Sequence, residues 1–146
     1  LIDIDERFFA AGRLDKDSHG LLIITNDGDF TNALIHPSSG ISKEYIVKVD
    51  KILNDKQIEK FKSGLDIGNG EMTSDAAIRY IKNNTYIVTI RQGYNRQIRR
   101  MFAVLGSTVI GLKRTRIGAI HLNDLIAGKY KKFDKKEMEF VSLMKE

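Results

Sequence analysis

The chain of 146 residues has no cysteine, which excludes a disulfide framework and thiolate metal sites. Its histidines, His19, His36 and His121, are too scattered to show ligand spacing, so no metal is expected. Long apolar runs are missing as well. Leu21-Leu22-Ile23-Ile24 gives way to Thr25, far short of a bilayer span, and the opening Leu-Ile-Asp-Ile-Asp-Glu does not have the form of a signal peptide. These absences lead us to expect a soluble, cytoplasmic protein with no membrane partner. A start on leucine rather than methionine suggests a piece of something longer. With 42% apolar residues there is material for one globular domain with a real core, and a monomer is the default expectation.

Acidic residues are absent from one whole stretch. Residues 91–116 carry Arg91, Arg96, Arg99, Arg100, Lys113, Arg114 and Arg116 without a carboxylate, so this stretch contributes +7 and the remainder of the chain −2. Arginine outnumbers lysine six to one there, which favours bidentate recognition of phosphate over general solubility. A nucleic-acid surface is the first hypothesis, and a solvated charged face is the alternative.

Local chemistry places the elements. Asp27 can cap a helix running to about residue 36, where Pro37 stops it. Residues 42–49 alternate as a strand, followed by a helix capped by Asp55 that ends at Gly64. Residues 76–82 and 85–91 flank Asn83-Asn84, the chemistry of a tight hairpin. Residues 108–117 and 119–122 read as further strands, and Asp134 with Glu137 forms a capping box for a last helix. Strands outnumber helices and several are adjacent hairpins. The expected class is α+β, with a largely antiparallel β-sheet.

A helix over 95–105 carries Ile98, Met101, Phe102 and Leu105 on one face, and Gly106 closes it. Arg96 and Arg100 then point to solvent. Arg99 lies about 100° from the apolar stripe, on a flank from which its guanidinium could reach across a cleft.

The candidate it would reach is Asp15. Asp15 stands in Gly12-Arg13-Leu14-Asp15-Lys16-Asp17-Ser18-His19-Gly20, a loop bounded by glycines and anchored by the apolar run that follows. A polar turn is the bland reading of that loop; a platform holding one carboxylate is the functional one. Asp17 and Ser18 are expected to shape the loop through local hydrogen bonds.

Gly12-Arg13-Leu14-Asp15 followed by Ser18-x-Gly20-Leu21-Leu22 and Thr25-Asn26-Asp27-Gly28, then Lys43-Glu44-Tyr45, then Gly93-x-Asn95-Arg96-Gln97-Ile98-Arg99-Arg100-Met101, resembles the ribosomal RNA pseudouridine synthases of the RsuA, RluB, RluE and RluF type. The likeness covers residues 7 to about 133, and the motifs stand in the family's order. It implies that Asp15 is the essential aspartate, Tyr45 the active-site aromatic and Arg99 the basic residue that pairs with the aspartate. It also implies that Ile98 packs on the uracil and that Arg13 enters the space left by the flipped nucleotide or holds its phosphate. Asn95, Arg96, Arg100, Arg114 and Arg116 become candidate RNA contacts. The fold implied is α+β, a mixed, mostly antiparallel β-sheet with peripheral helices, and the partner implied is ribosomal RNA. No cofactor is implied, since turning uridine into pseudouridine needs neither redox change nor energy donor.

One departure is visible. Members of this group open their catalytic domain with a Lys-Pro-x-Gly motif after a small S4-type RNA-binding domain, and neither is found here, Pro37 being the single proline. The expectation is a catalytic domain, residues 1–146, truncated at its N-terminus and possessing reduced or no activity as a fragment. Isomerisation of a uridine in large-subunit (23S) ribosomal RNA is the leading function. A small-subunit (16S) target and an RNA-binding fragment without catalysis are the alternatives. An aspartate hydrolase is disfavoured because no second carboxylate or histidine stands at matching spacing.

Overall fold

A computed structural model describes residues 7–146. Three two-residue strands come first, β1 (Phe9–Ala10), β2 (His19–Gly20) and β3 (Ile24–Thr25), and then helix α1 (Gly28–Ile35). The chain continues through β4 (Lys43–Val49), α2 (Asp55–Ser63), β5 (Ala77–Lys82), β6 (Thr85–Ile90) and α3 (Gln97–Val104). It closes with β7 (Val109–Ile117), β8 (Ile120–His121) and α4 (Lys135–Met144). The main sheet runs β2-β7-β4-β6-β5, with β8 paired to β7, while β1 and β3 form a separate ribbon. Every pairing is antiparallel except that of β2 with β7. The fold is therefore α+β with a mixed, mostly antiparallel sheet.

Caps and turns follow the local chemistry closely. Asp27 accepts a hydrogen bond from the Phe30 amide at 3.0 Å, and Asp134 and Glu137 satisfy each other's amides at the start of α4. Asn83 and Asn84 both adopt left-handed backbone, with φ of 50° and 57°, as a two-residue hairpin between twisted strands requires. One cap differs from expectation. Asn54, not Asp55, caps α2, exchanging bonds of 2.7 and 2.9 Å with Gln57, because Gln57 supplies the reciprocal acceptor three residues on. Gln57 also donates to the Leu105 carbonyl at 2.8 Å, which ties α2 to the end of α3.

Two apolar clusters hold the fold. One joins β4, β6 and β7 to α2 and α3 around Val47, Val88, Phe61, Met101 and Phe102; the other joins α1 and α4 to the first strands around Ile23, Phe30, Ile117 and Val141. Phe61 and Phe102 pack with ring centroids 5.0 Å apart. Where the clusters meet, residues from both line one cavity of about 360 Å³.

Candidate active site

The loop carrying Asp15 is fixed at both ends by backbone bonds. The Ala11 amide donates to the Ile23 carbonyl at 2.8 Å, and the Leu21 amide donates to the Arg114 carbonyl at 2.8 Å. Within the loop the Ser18 amide closes a turn on the Asp15 carbonyl at 2.9 Å. Gly20 has a φ of +111°, and a Cβ there would stand 2.2 Å from the Arg114 carbonyl oxygen. Only glycine permits β2 to lie this close to β7.

The cavity gathers Asp15, Arg13 and Ser18 from this loop with Lys43 and Tyr45 from β4 and Arg114 from β7. Tyr45 and Arg114 are direct register partners across β4 and β7. The far wall is residues 92–98, which include Asn95, Arg96 and the buried Ile98. Arg96 takes a left-handed conformation, φ 52° and ψ 35°, as it enters α3, and its Nη1 lies 3.9 Å from the Asp17 carboxylate. Gln97, only 3% exposed, holds this wall by accepting from the Tyr94 amide at 3.2 Å and donating to Gln92 at 3.3 Å.

The arginines behave differently from their sequence reading. Arg99 does not reach Asp15: its Nη2 donates to the Asp17 carbonyl at 2.7 Å and its Nη1 to the Val109 carbonyl at 3.5 Å. It pins the loop through its backbone and stands outside the cavity lining. Arg100 does not point to solvent either. It bonds the Ile67 carbonyl at 2.8 and 3.1 Å, the Asn95 carbonyl at 2.9 Å, and Glu71 at 2.7 Å. Arg116 donates to the Ser42 hydroxyl at 2.8 Å and the Gly118 carbonyl at 2.9 Å. Arg114 is 6% exposed, so it is an inner wall of the cavity and not a surface contact. The helix to which Arg99 and Arg100 belong presents them to nearby loops with unfilled carbonyls, and a fork of N–H donors takes those in preference to water. Ser18 also departs from expectation: its amide makes the local bond, while its hydroxyl is buried with no partner among the described residues.

Electrostatics centre on β4. Burial pushes the Tyr45 hydroxyl pKa up, the Arg114 charge opposes that and the Asp15 charge adds to it, leaving Tyr45 a protonated donor. Burial first, and Arg114 second, lower the pKa of Lys43. Lys43 was not singled out from the sequence, although it lies two residues from Tyr45 on an alternating strand and so shares its face.

The RNA pseudouridylate synthase family model matches residues 2–104. The chain belongs to this family. Ribosomal large subunit pseudouridine synthase B of Bacillus subtilis is 39% identical over 132 residues, covering 86% of this chain and 54% of that protein. Dual-specificity RNA pseudouridine synthase RluF of Salmonella typhi is 36% identical over 144 residues, covering 99% of this chain and 49% of that protein. Ribosomal small subunit pseudouridine synthase A of Vibrio cholerae is 36% identical over 139 residues, with coverage of 94% and 60%. The chain thus spans about half the length of the curated RNA pseudouridylate synthases it matches. Among solved structures, a pseudouridylate synthase crystal structure superposes with a TM-score of 0.87 at 30% identity, covering 92% of this chain and 59% of that one. An archaeal Nop10–Cbf5 complex, at TM-score 0.57 and 19% identity over 82% of this chain and 41% of that one, shares the fold.

Among the described residues no group of histidines, cysteines or carboxylates could hold a metal, and no helix is long and apolar enough to cross a membrane.

Proposed function

We propose that this chain is the catalytic portion of an enzyme that isomerises a specific uridine to pseudouridine in ribosomal RNA. The observation that carries the reading is Asp15 on a loop tied at both ends, opening into a cavity that also presents Tyr45, Arg13 and Ile98. The reaction breaks the bond from C1′ to N1, turns the base within the pocket and joins C1′ to C5. Asp15, as carboxylate, adds to the nucleotide as a nucleophile or removes the 2′ proton as a base. Tyr45 offers a ring for the flipped base to stack on, and its hydroxyl would assist proton removal at C5. Ile98 supplies an apolar wall, and Arg13 would enter the gap that an extruded base leaves or hold its phosphate.

Arg99 serves this reading as a positioning residue, holding the Asp15 loop by the Asp17 carbonyl. Asn95 and Arg96, which line the opposite wall, are RNA contacts in this reading. The large ribosomal subunit is the target we propose, since that is the RNA named for the Bacillus subtilis relative.

The test is to incubate the full-length protein with unmodified ribosomal RNA and map pseudouridine, wild type beside Asp15→Asn. Wild type is expected to modify one site and the variant none at detectable rate. Equal modification by both would remove Asp15 from the chemistry.

A further inference from the structure

Arg114 holds a hydrogen-bond donor in reserve. Its Nε donates to the Leu21 carbonyl at 3.0 Å and its Nη1 reaches the Arg13 carbonyl at 3.4 Å, so two nitrogens brace the two ends of the Asp15 loop. The third, Nη2, is buried and has no hydrogen-bond partner among the described residues. The side chain is 94% buried, the complement of its 6% exposure, and it lines the cavity. Leaving a guanidinium N–H dry and unpaired is costly unless a ligand supplies the acceptor.

Lys43 sharpens the point. It lines the same cavity, and no carboxylate among the described residues is in ion-pair contact with either cation. The Arg114 and Lys43 charges repel each other across this cavity, and the arrangement becomes more favourable when electron density of the opposite sign enters between them. Phosphate of the backbone would satisfy the charge, but it stays at the rim when a base is turned inward. A uracil turned into the cavity would carry its carbonyl oxygens toward the wall that Arg114 lines.

We propose that Arg114 Nη2 donates a hydrogen bond to a carbonyl oxygen of the flipped uracil, and that Arg114 and Lys43 together stabilise the negative charge of the base while it is detached from the sugar. The proposal rests on the uridine-isomerisation reading above. When the C1′–N1 bond breaks, its electron pair remains on the base and spreads from N1 to O2 and O4. Asp15 meets the deficiency at C1′ by bonding to it or by taking the 2′ proton, which is returned later. The turned base then uses its electron pair at C5 to bond C1′. The C5 proton is lost to a base, and N1 gains a proton, so the product is an isomer of the substrate. The anion exists only between the two bond changes, and a fixed cation aimed at it acts most strongly then.

The experiment measures single-turnover conversion at saturating RNA by the full-length enzyme, with uridine, 2-thiouridine or 4-thiouridine at the target position. Sulfur accepts a hydrogen bond weakly. In wild type one of the two thio substitutions is expected to slow conversion about 100-fold, as removal of an oxyanion donor does. In Arg114→Met that same substitution is expected to add less than about threefold, while RNA affinity stays within about twofold, as for a group acting mainly in the transition state. Lys43→Met leaves every brace on the Asp15 loop intact and keeps the proposal testable if Arg114→Met does not fold; it is expected to slow conversion about tenfold at unchanged affinity. A thio effect equal in wild type and Arg114→Met would overturn the base contact and assign Arg114 to the loop or to Asp15. A loss confined to RNA affinity would make it a phosphate contact instead, and an unchanged rate in Lys43→Met would overturn the paired-cation role. Wild type that forms no pseudouridine from uridine would overturn the functional reading itself, an outcome distinct from the other three.

Discussion

Gly20→Ala isolates the contact that places Asp15 beside β7. The added Cβ would stand 2.2 Å from the Arg114 carbonyl oxygen and 2.6 Å from its nitrogen, both backbone atoms that cannot swing aside. A non-glycine residue held at a φ of +111° is strained by about 1–3 kcal/mol. Forcing β2 away from β7 adds about 1–3 kcal/mol, the usual cost of inserting a methyl group where there is no room. The sum, about 2–6 kcal/mol, is a large share of the roughly 5–15 kcal/mol that holds a domain folded. At about 3 °C per kcal/mol for a chain of this size, the midpoint should fall by about 6–18 °C. Thermal unfolding followed by circular dichroism measures this. Single-turnover conversion, taken well below the midpoint, measures the second consequence: displacing the loop by even an ångström should slow the reaction about 100-fold. A midpoint within about 2 °C of wild type together with an unchanged rate would refute the claim that this close approach organises the site.

Arg100→Ala should weaken the fold rather than RNA binding. It removes charged hydrogen bonds to the Ile67 and Asn95 carbonyls and an ion pair with Glu71, and a loss of about 1.5–3 kcal/mol is expected in urea unfolding. The dependence of RNA affinity on salt should keep its slope, whereas loss of a phosphate contact would reduce it by about one. Tyr45 gives a pH prediction. Because its folded-state pKa is raised, its contribution to stability is complete below the unfolded value and is lost as pH rises through the folded one. Urea midpoints measured on the alkaline side should therefore fall more steeply for wild type than for Tyr45→Phe, and parallel curves would contradict the burial assigned to this hydroxyl.

What could be read from the chain alone was what neighbours in sequence decide. Asp27, the Asn83-Asn84 turn and the Asp134–Glu137 box act across four residues or fewer, and each formed where expected. The pairing of β2 with β7 was not legible, since a strand of two residues has no period and its position depends on a glycine fitting against a distant backbone. The ends of long arginines were misjudged for a related reason. Helical geometry gives the direction in which Arg99 and Arg100 leave α3, but not the carbonyls of Asp17 and Ile67 that happen to lie there. Burial of Arg114 carried a signal that went unused: it stands two residues after the buried Leu112 on one strand, at the inward position of a period-two pattern. Asp15 and Tyr45 were singled out by the motif resemblance alone, and both line the cavity.

The braces on the Asp15 loop have a consequence for the order of synthesis. The groups that hold the Asp15 loop lie far downstream of it: Arg99 bonds across 82 residues and Arg114 across 93 and 101. Closing loops of that length is entropically unfavourable and slow compared with forming a hairpin or a helical turn. A growing polypeptide that has not yet extended past β7 thus carries its aspartate on an untethered segment, and the cavity does not exist. The cavity is thus assembled late, only after nearly all of the residues from the Asp15 loop to β7 have been made and folded.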